Sequence, residues 1–177
     1  MSTLKVNKII PTAGVPTGGG GGITQIKQTV KTDKVSFGSS SFIDLSGMSV
    51  SITPTSTSNK VFIMCHMTLC DNDENHTVIF KLVRGSTDIC VGDQVGSSRR
   101  RATGAFAQIG GGDHPLTHAF MFMDSPSTTS ETTYKIQVQT EGGGQASLNG
   151  RHNGDTDSTE AKNARYASTI TAMEVSA

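Results

Sequence analysis

Residues 61–69 read Val-Phe-Ile-Met-Cys-His-Met-Thr-Leu. Taken alternately, Val61, Ile63, Cys65, Met67 and Leu69 fall on one side, and Phe62, Met64, His66 and Thr68 on the other. A period of two is the period of a strand. One of its faces is wholly apolar and the other half so, which points to burial on both sides.

The same period extends in both directions. Residues 24–32 place Ile26, Gln28 and Val30 on one side. Residues 42–53 alternate around Gly47, a predicted bulge or turn. Thr77–Arg84 turns Val78, Phe80 and Leu82 inward, and short strands are predicted at 88–92 and 104–109. His114–Asp124 sets Leu116, His118, Phe120 and Phe122 against Thr117, Ala119, Met121 and Met123. Thr132–Thr140 puts Tyr134, Ile136 and Val138 on one face and Lys135, Gln137 and Gln139 on the other. Ala146–Leu148 is a fragment, and Tyr166–Val175 closes the chain. Between these runs lie clusters of Gly, Ser, Asn, Asp and Pro such as Pro54–Asn59. About eight to ten short strands at this spacing predict an all-β antiparallel sandwich or jelly roll over residues 23–177.

Residues 1–22 differ in kind. Pro11 and Pro16 exclude a helix or a central strand. Leu4, Val6, Ile9, Ile10 and Val15 are too few for a core of their own. With Pro11 they are the candidate residues for anchoring an extended arm to a partner. Gly18, Gly19, Gly20, Gly21 and Gly22 follow, read as a flexible hinge. A phosphate loop would need Lys-Ser/Thr after its last glycine, and here Ile23-Thr24-Gln25 follows.

Composition narrows the function. The 177 residues carry 15 basic and 15 acidic side chains, so no net charge draws the chain to nucleic acid. Charged residues make up 17%, below the usual quarter, which leaves an uncharged polar surface. No run is long and apolar enough to insert in a membrane, and no secretory leader is expected at the start. The absence of Trp and the presence of only two Tyr leave few ring platforms for sugars or single-stranded nucleic acid. Cys65, Cys70 and Cys90 lack zinc spacing and read as reduced, mostly buried thiols, with one disulfide and a spare as the alternative.

The search for chemistry returns little. Asp71-Asn72-Asp73 opens like a calcium loop, but His76 and Leu82 stand where Gly and Glu are needed. Asp155-Thr156-Asp157 is a similar acidic turn. His114 and His118 lie about 13 Å apart along a strand and cannot share one ion. His66 and His118 meeting across neighbouring strands stays open. No Gly-x-Ser-x-Gly elbow exists. The expectation is no catalytic residues, no metal, no cofactor and no enzyme. Arg99, Arg100 and Arg101 form the one dense basic spot, in the loop 96–104. They are the candidate contact for an acidic neighbouring subunit or an anionic polysaccharide.

The opening Ser-Thr-Leu-Lys-Val-Asn-Lys-Ile-Ile-Pro-Thr-Ala-Gly-Val-Pro-Thr before the glycines resembles virion structural proteins of tailed marine phages, especially cyanophages. So do Ile23-Thr24-Gln25, Ser49-Val50-Ser51-Ile52-Thr53-Pro54, Ser58-Asn59-Lys60-Val61, Leu82-Val83-Arg84, Asp124-Ser125-Pro126 and residues 168–175. These are fold and turn signatures, not catalytic motifs. The resemblance implies a tail-fibre or other appendage component located in the virion, with a trimeric β-rich head on an attachment peptide. The chain has no shaft of repeats, which favours a short fibre, a knob or a head decoration subunit. The implied partners are further copies of the chain and, through the arm, other virion proteins. A tip module binding receptor or host surface polysaccharide is the alternative, with loops 71–76, 96–103, 110–114, 141–145 and 149–163 as its contacts. A depolymerase ranks below it.

Overall fold

The computed structural model, which describes residues 22–71, 76–107, 114–151 and 164–177, is a layered β-sandwich. Residues 61–69 were expected to be buried on both sides. Val61, Ile63, Cys65, Met67 and Leu69 are buried between the layers. Met64 and His66 on the other side are exposed, because no element among the described residues covers that face. The strands are β1 (Ile23–Lys31), β2 (Val35–Phe37), β3 (Ile43–Ile52), β4 (Lys60–Asp71), β5 (Thr77–Arg84) and β6 (Thr87–Ile89). They continue as β7 (Gly104–Ala107), β8 (Leu116–Asp124), β9 (Thr132–Thr140), β10 (Ala146–Leu148) and β11 (Ser168–Val175). Among the described residues the only helical turn is Glu141–Gly143.

The pairing is nested. β1 pairs with β11, β3 with β9, β4 with β8, and β5 with β6 and β7, all antiparallel. First therefore pairs with last, and each inner pair follows in turn, like a long ribbon of hairpins. Wrapping that ribbon brings β11 beside β4 and β9 beside β5. Two sheets result, β1-β11-β4-β8 and β3-β9-β5-β6. This is the double-Greek-key wiring of a jelly roll. β10 takes over from β11 along the last residues of β4 and carries β2 beyond it.

The core lies between the sheets. Met48, Ile52, Ile63, Met67, Leu82, Tyr134, Ile136 and Ile170 are fully buried there. Each such apolar side chain contributes about 1.5–3 kcal/mol. Cys65 and Cys70 are buried thiols and Cys90 a partly buried one. Burial pushes the Cys65 thiol up to about 12.

Gly47 is the expected bulge. The β3–β9 register slips between Asp44 and Ser49, and Gly47 has φ of 80°. The Lys31 stem lies over it, so a Cβ there would sit 2.5 Å from Lys31 Cδ. Two expectations shift. The strand read at 88–92 runs over Thr87–Ile89, because Cys90 turns the chain with φ of 54°. β2 had no sequence signal, since three residues cannot display a period.

Three polar knots tie the ends of the sandwich. Glu174 of β11 is fully buried. Its Oε1 accepts from Thr55 N (2.6 Å), Thr55 Oγ1 (2.8 Å) and Asn59 Nδ2 (2.6 Å), and its Oε2 from Gln25 Nε2 (2.6 Å). Asp124 of β8 accepts two bonds from Arg84 Nη1, both 2.9 Å, and one from Tyr134 Oη at 2.7 Å. That knot links the two sheets. Both carboxylates flank Val61 in a single row, Glu174–Val61–Asp124. At the other end Asn149, φ 63°, donates from Nδ2 to Lys31 O (2.8 Å) and from its backbone N–H to Thr68 O (2.9 Å).

Candidate functional site

Register fixes which side chains leave the first sheet on its outer face. Ile26, Met173, Phe62 and Met123 form one row across β1-β11-β4-β8. Gln28, Thr171, Met64 and Met121 form the next, and Val30, Thr169, His66 and Ala119 the third. None of the twelve is a carboxylate, an ammonium or a guanidinium. Lys60 and Val175 bound the face at one end, and Thr68 and Thr117 at the other.

This face is apolar and open. Met121 is 64% exposed, Ile26 56% and Val30 54%. Monomeric surfaces rarely leave a large contiguous apolar patch in water. The middle of the face sinks into a depression of about 510 Å³, lined by Ile26, Gln28, Met64, His66, Met121 and Met173 among others. Gln28 Nε2 donates to Thr171 Oγ1 at 2.8 Å, which satisfies a polar pair within the apolar surround.

The inner face of the same strands behaves differently. Beside the core, His118 packs on Phe106 (ring centroids 4.8 Å) and Phe80 (5.7 Å), with Phe80 stacked on Phe120. Burial among these rings lowers the His118 pKa. His66 points outward and His118 inward, so the two do not meet: Met67, not His66, stands opposite His118. His114 precedes β8 and is exposed.

Arg99, Arg100 and Arg101 are exposed in the segment between β6 and β7, where Arg101 Nε donates to Gly92 O at 2.8 Å. The loop is therefore shaped from within and open outward. The anchoring residues Leu4, Val6, Ile9, Ile10, Pro11 and Val15, and hinge residues Gly18–Gly21, lie outside the described residues. Gly22 is described. Its N–H donates to Ser176 Oγ at 3.0 Å and its carbonyl accepts from Ser176 N at 2.9 Å, extending the β1–β11 ladder. The acidic positions 72–75, 155 and 157 also lie outside the described residues, as do loop positions 110–113 and 152–163. Among the described residues no three His, Cys, Asp or Glu side chains gather as a metal-ligand set, and no helix is long and apolar enough to cross a membrane.

Met64 was visible in the sequence on the second side of residues 61–69, and Met121 and Met123 on the second side of residues 114–124. Reading them as a surface needed the partner strands, because Met121 and Met64 come together only through the β4–β8 register.

No family model and no curated protein matches the chain. Among solved structures it is similar to those of infectious bursal disease virus, Gt strain and Gx strain. Identity is 11% in both, with TM-scores of 0.47 and 0.42. The alignments cover 97% of this chain, which spans 44% of the length of each of those chains.

Proposed function

We propose that this chain is a structural subunit of a virion, a short fibre, knob or decoration protein. Residues 1–22 anchor it to other virion proteins, and the jelly roll is presented outward. It works without cofactor or catalysis, and its copies associate, as the trimer implied by the resemblance to tailed marine phage proteins. The observation that carries this reading is the outer face of β1-β11-β4-β8. It is broad, apolar, uncharged and open, a surface suited to assembly rather than to turnover of a substrate. The buried carboxylates Glu174 and Asp124 are held by hydrogen bonds within structural knots.

Deleting residues 1–22 tests the anchoring. The truncated protein is expected to fold and remain soluble, and to be absent from purified particles. Normal incorporation without the arm would sink the anchoring role.

A second reading, a tip that binds host surface polysaccharide, is favoured by the exposed Arg99–Arg101 loop. Retention of labelled protein on host cells, lost on replacing all three arginines by serine, would support it. No retention at saturating concentration would remove it.

A further inference from the structure

We infer that the outer face of β1-β11-β4-β8 is the surface through which one copy of this chain binds another. The inference rests on the oligomeric part of the reading above and not on its particle part.

Three observations select a second copy as the occupant. The first is area. Three outward rows crossing four strands ~4.8 Å apart, with a two-residue rim row ~6.6 Å further out at each end, make a footprint of roughly 500 Å². Two such faces together remove about 1,000 Å² from water, the least a specific contact needs. The second is charge. When copies meet through this face, groups of the patch lie against groups of the same patch, so a patch rich in charge of one sign would repel itself. The three central rows carry no formal charge, with Lys60 held at the rim. A distinct charged partner would leave a complementary pattern of charge, and none is present on the face.

The third is side-chain type. Four of the twelve central side chains are methionine, Met64, Met121, Met123 and Met173. Unbranched and polarisable, they can fill an irregular gap such as the central depression when a second surface closes on it. The face offers neither Trp nor Tyr as a platform for a sugar, and neither Lys nor Arg in its central rows for phosphate. Both lateral halves are apolar, Ile26 and Met173 on the β1 side and Met121 and Met123 on the β8 side. The β1 half of one copy can therefore meet the β8 half of the next.

The test uses the intact chain in sedimentation equilibrium over a wide concentration range, beside Met121→Lys, Ile26→Lys and the loop control Val95→Lys. The wild type and V95K are expected at two or three times the chain mass. M121K and I26K should be folded monomers by circular dichroism, with association weakened at least about 30-fold. Should either variant fail to fold, a photo-cross-linking residue at position 121 replaces it, and cross-links are expected on residues of this face in another copy. A wild-type oligomer whose mass M121K and I26K leave unchanged, or whose cross-links fall elsewhere, overturns the inference and leaves self-association standing. A monomeric wild type overturns both and leaves the anchoring role to its own test.

Discussion

The two faces of β1-β11-β4-β8 are made by alternate residues of the same strands, and they invert the usual distribution of charge. The buried face holds the carboxylates Glu174 and Asp124, and Asp71 at the end of β4 is buried as well. The open face holds none in its central rows. Burial alone does not decide where a charge is tolerated; the supply of donors does. Glu174 accepts from four donor atoms, and Asp124 from two, Arg84 Nη1 and Tyr134 Oη. The outer face has few polar groups to satisfy and much apolar area open to water.

The largest effects should come from the buried face. Glu174→Ala leaves the donors of Thr55, Asn59 and Gln25 without their acceptor and is expected to cost about 3–5 kcal/mol by urea unfolding. Asp124→Ala strands the buried Tyr134 hydroxyl and the partly exposed Arg84. A cost nearer 3 kcal/mol is expected, lowering Tm by roughly 6–12 °C. If either substitution were neutral, the knots would be ornament and the contrast between the faces would fail.

Acid should single out Glu174. Desolvation pushes its carboxyl up, and the donors of Asn59, Gln25 and Thr55 outweigh that, so it titrates at about 2 instead of 4.5. A folded pKa below the unfolded one gives stability that is fully present above pH 4.5. It is lost as pH falls from 4.5 towards 2. Urea midpoints measured across that window should fall for the wild type and fall less for Glu174→Gln. Equal slopes would mean that the carboxylate is not held ionised by those donors.

Gly47→Ala is expected to cost about 1–2 kcal/mol, since it places a side chain at positive φ beneath the Lys31 stem. The smallest effects on monomer stability should come from the outer face, where Met121→Lys is expected to change the unfolding free energy of the dissociated chain by no more than about 0.5 kcal/mol. A large loss there would show that Met121 belongs to the core.

Much of this architecture was legible. Residues 61–69 and 132–140 announce strands by their alternation, and Gly47 announces the bulge. The knots were not legible as knots. Asp124 reads as the start of the turn Asp124-Ser125-Pro126, and Glu174 as one polar residue in a closing strand. Their partners Arg84, Asn59 and Gln25 are distant in sequence and meet them only when the ribbon wraps. Arg84, Asp124, Asn59 and Glu174 all fall in the short motifs that carried the resemblance to virion proteins, and the structure gives those motifs a physical reason: they tie the jelly roll. The outer face was half legible, as apolar residues in excess of what one core needs. Its continuity depended on long-range register, which local pattern does not encode.

The most direct test of the covered face is methionine oxidation by dilute peroxide, read residue by residue by mass spectrometry. Met48 and Met67 are fully buried and serve as internal controls, whereas Met121, Met64 and Met123 stand open in a single copy. If the face is where copies meet, Met121, Met64 and Met123 will be protected in the concentrated wild-type protein and react fast in Ile26→Lys, while Met48 and Met67 stay protected in both. Oxidation of Met121 at the same fast rate in both proteins, at every concentration, would contradict it.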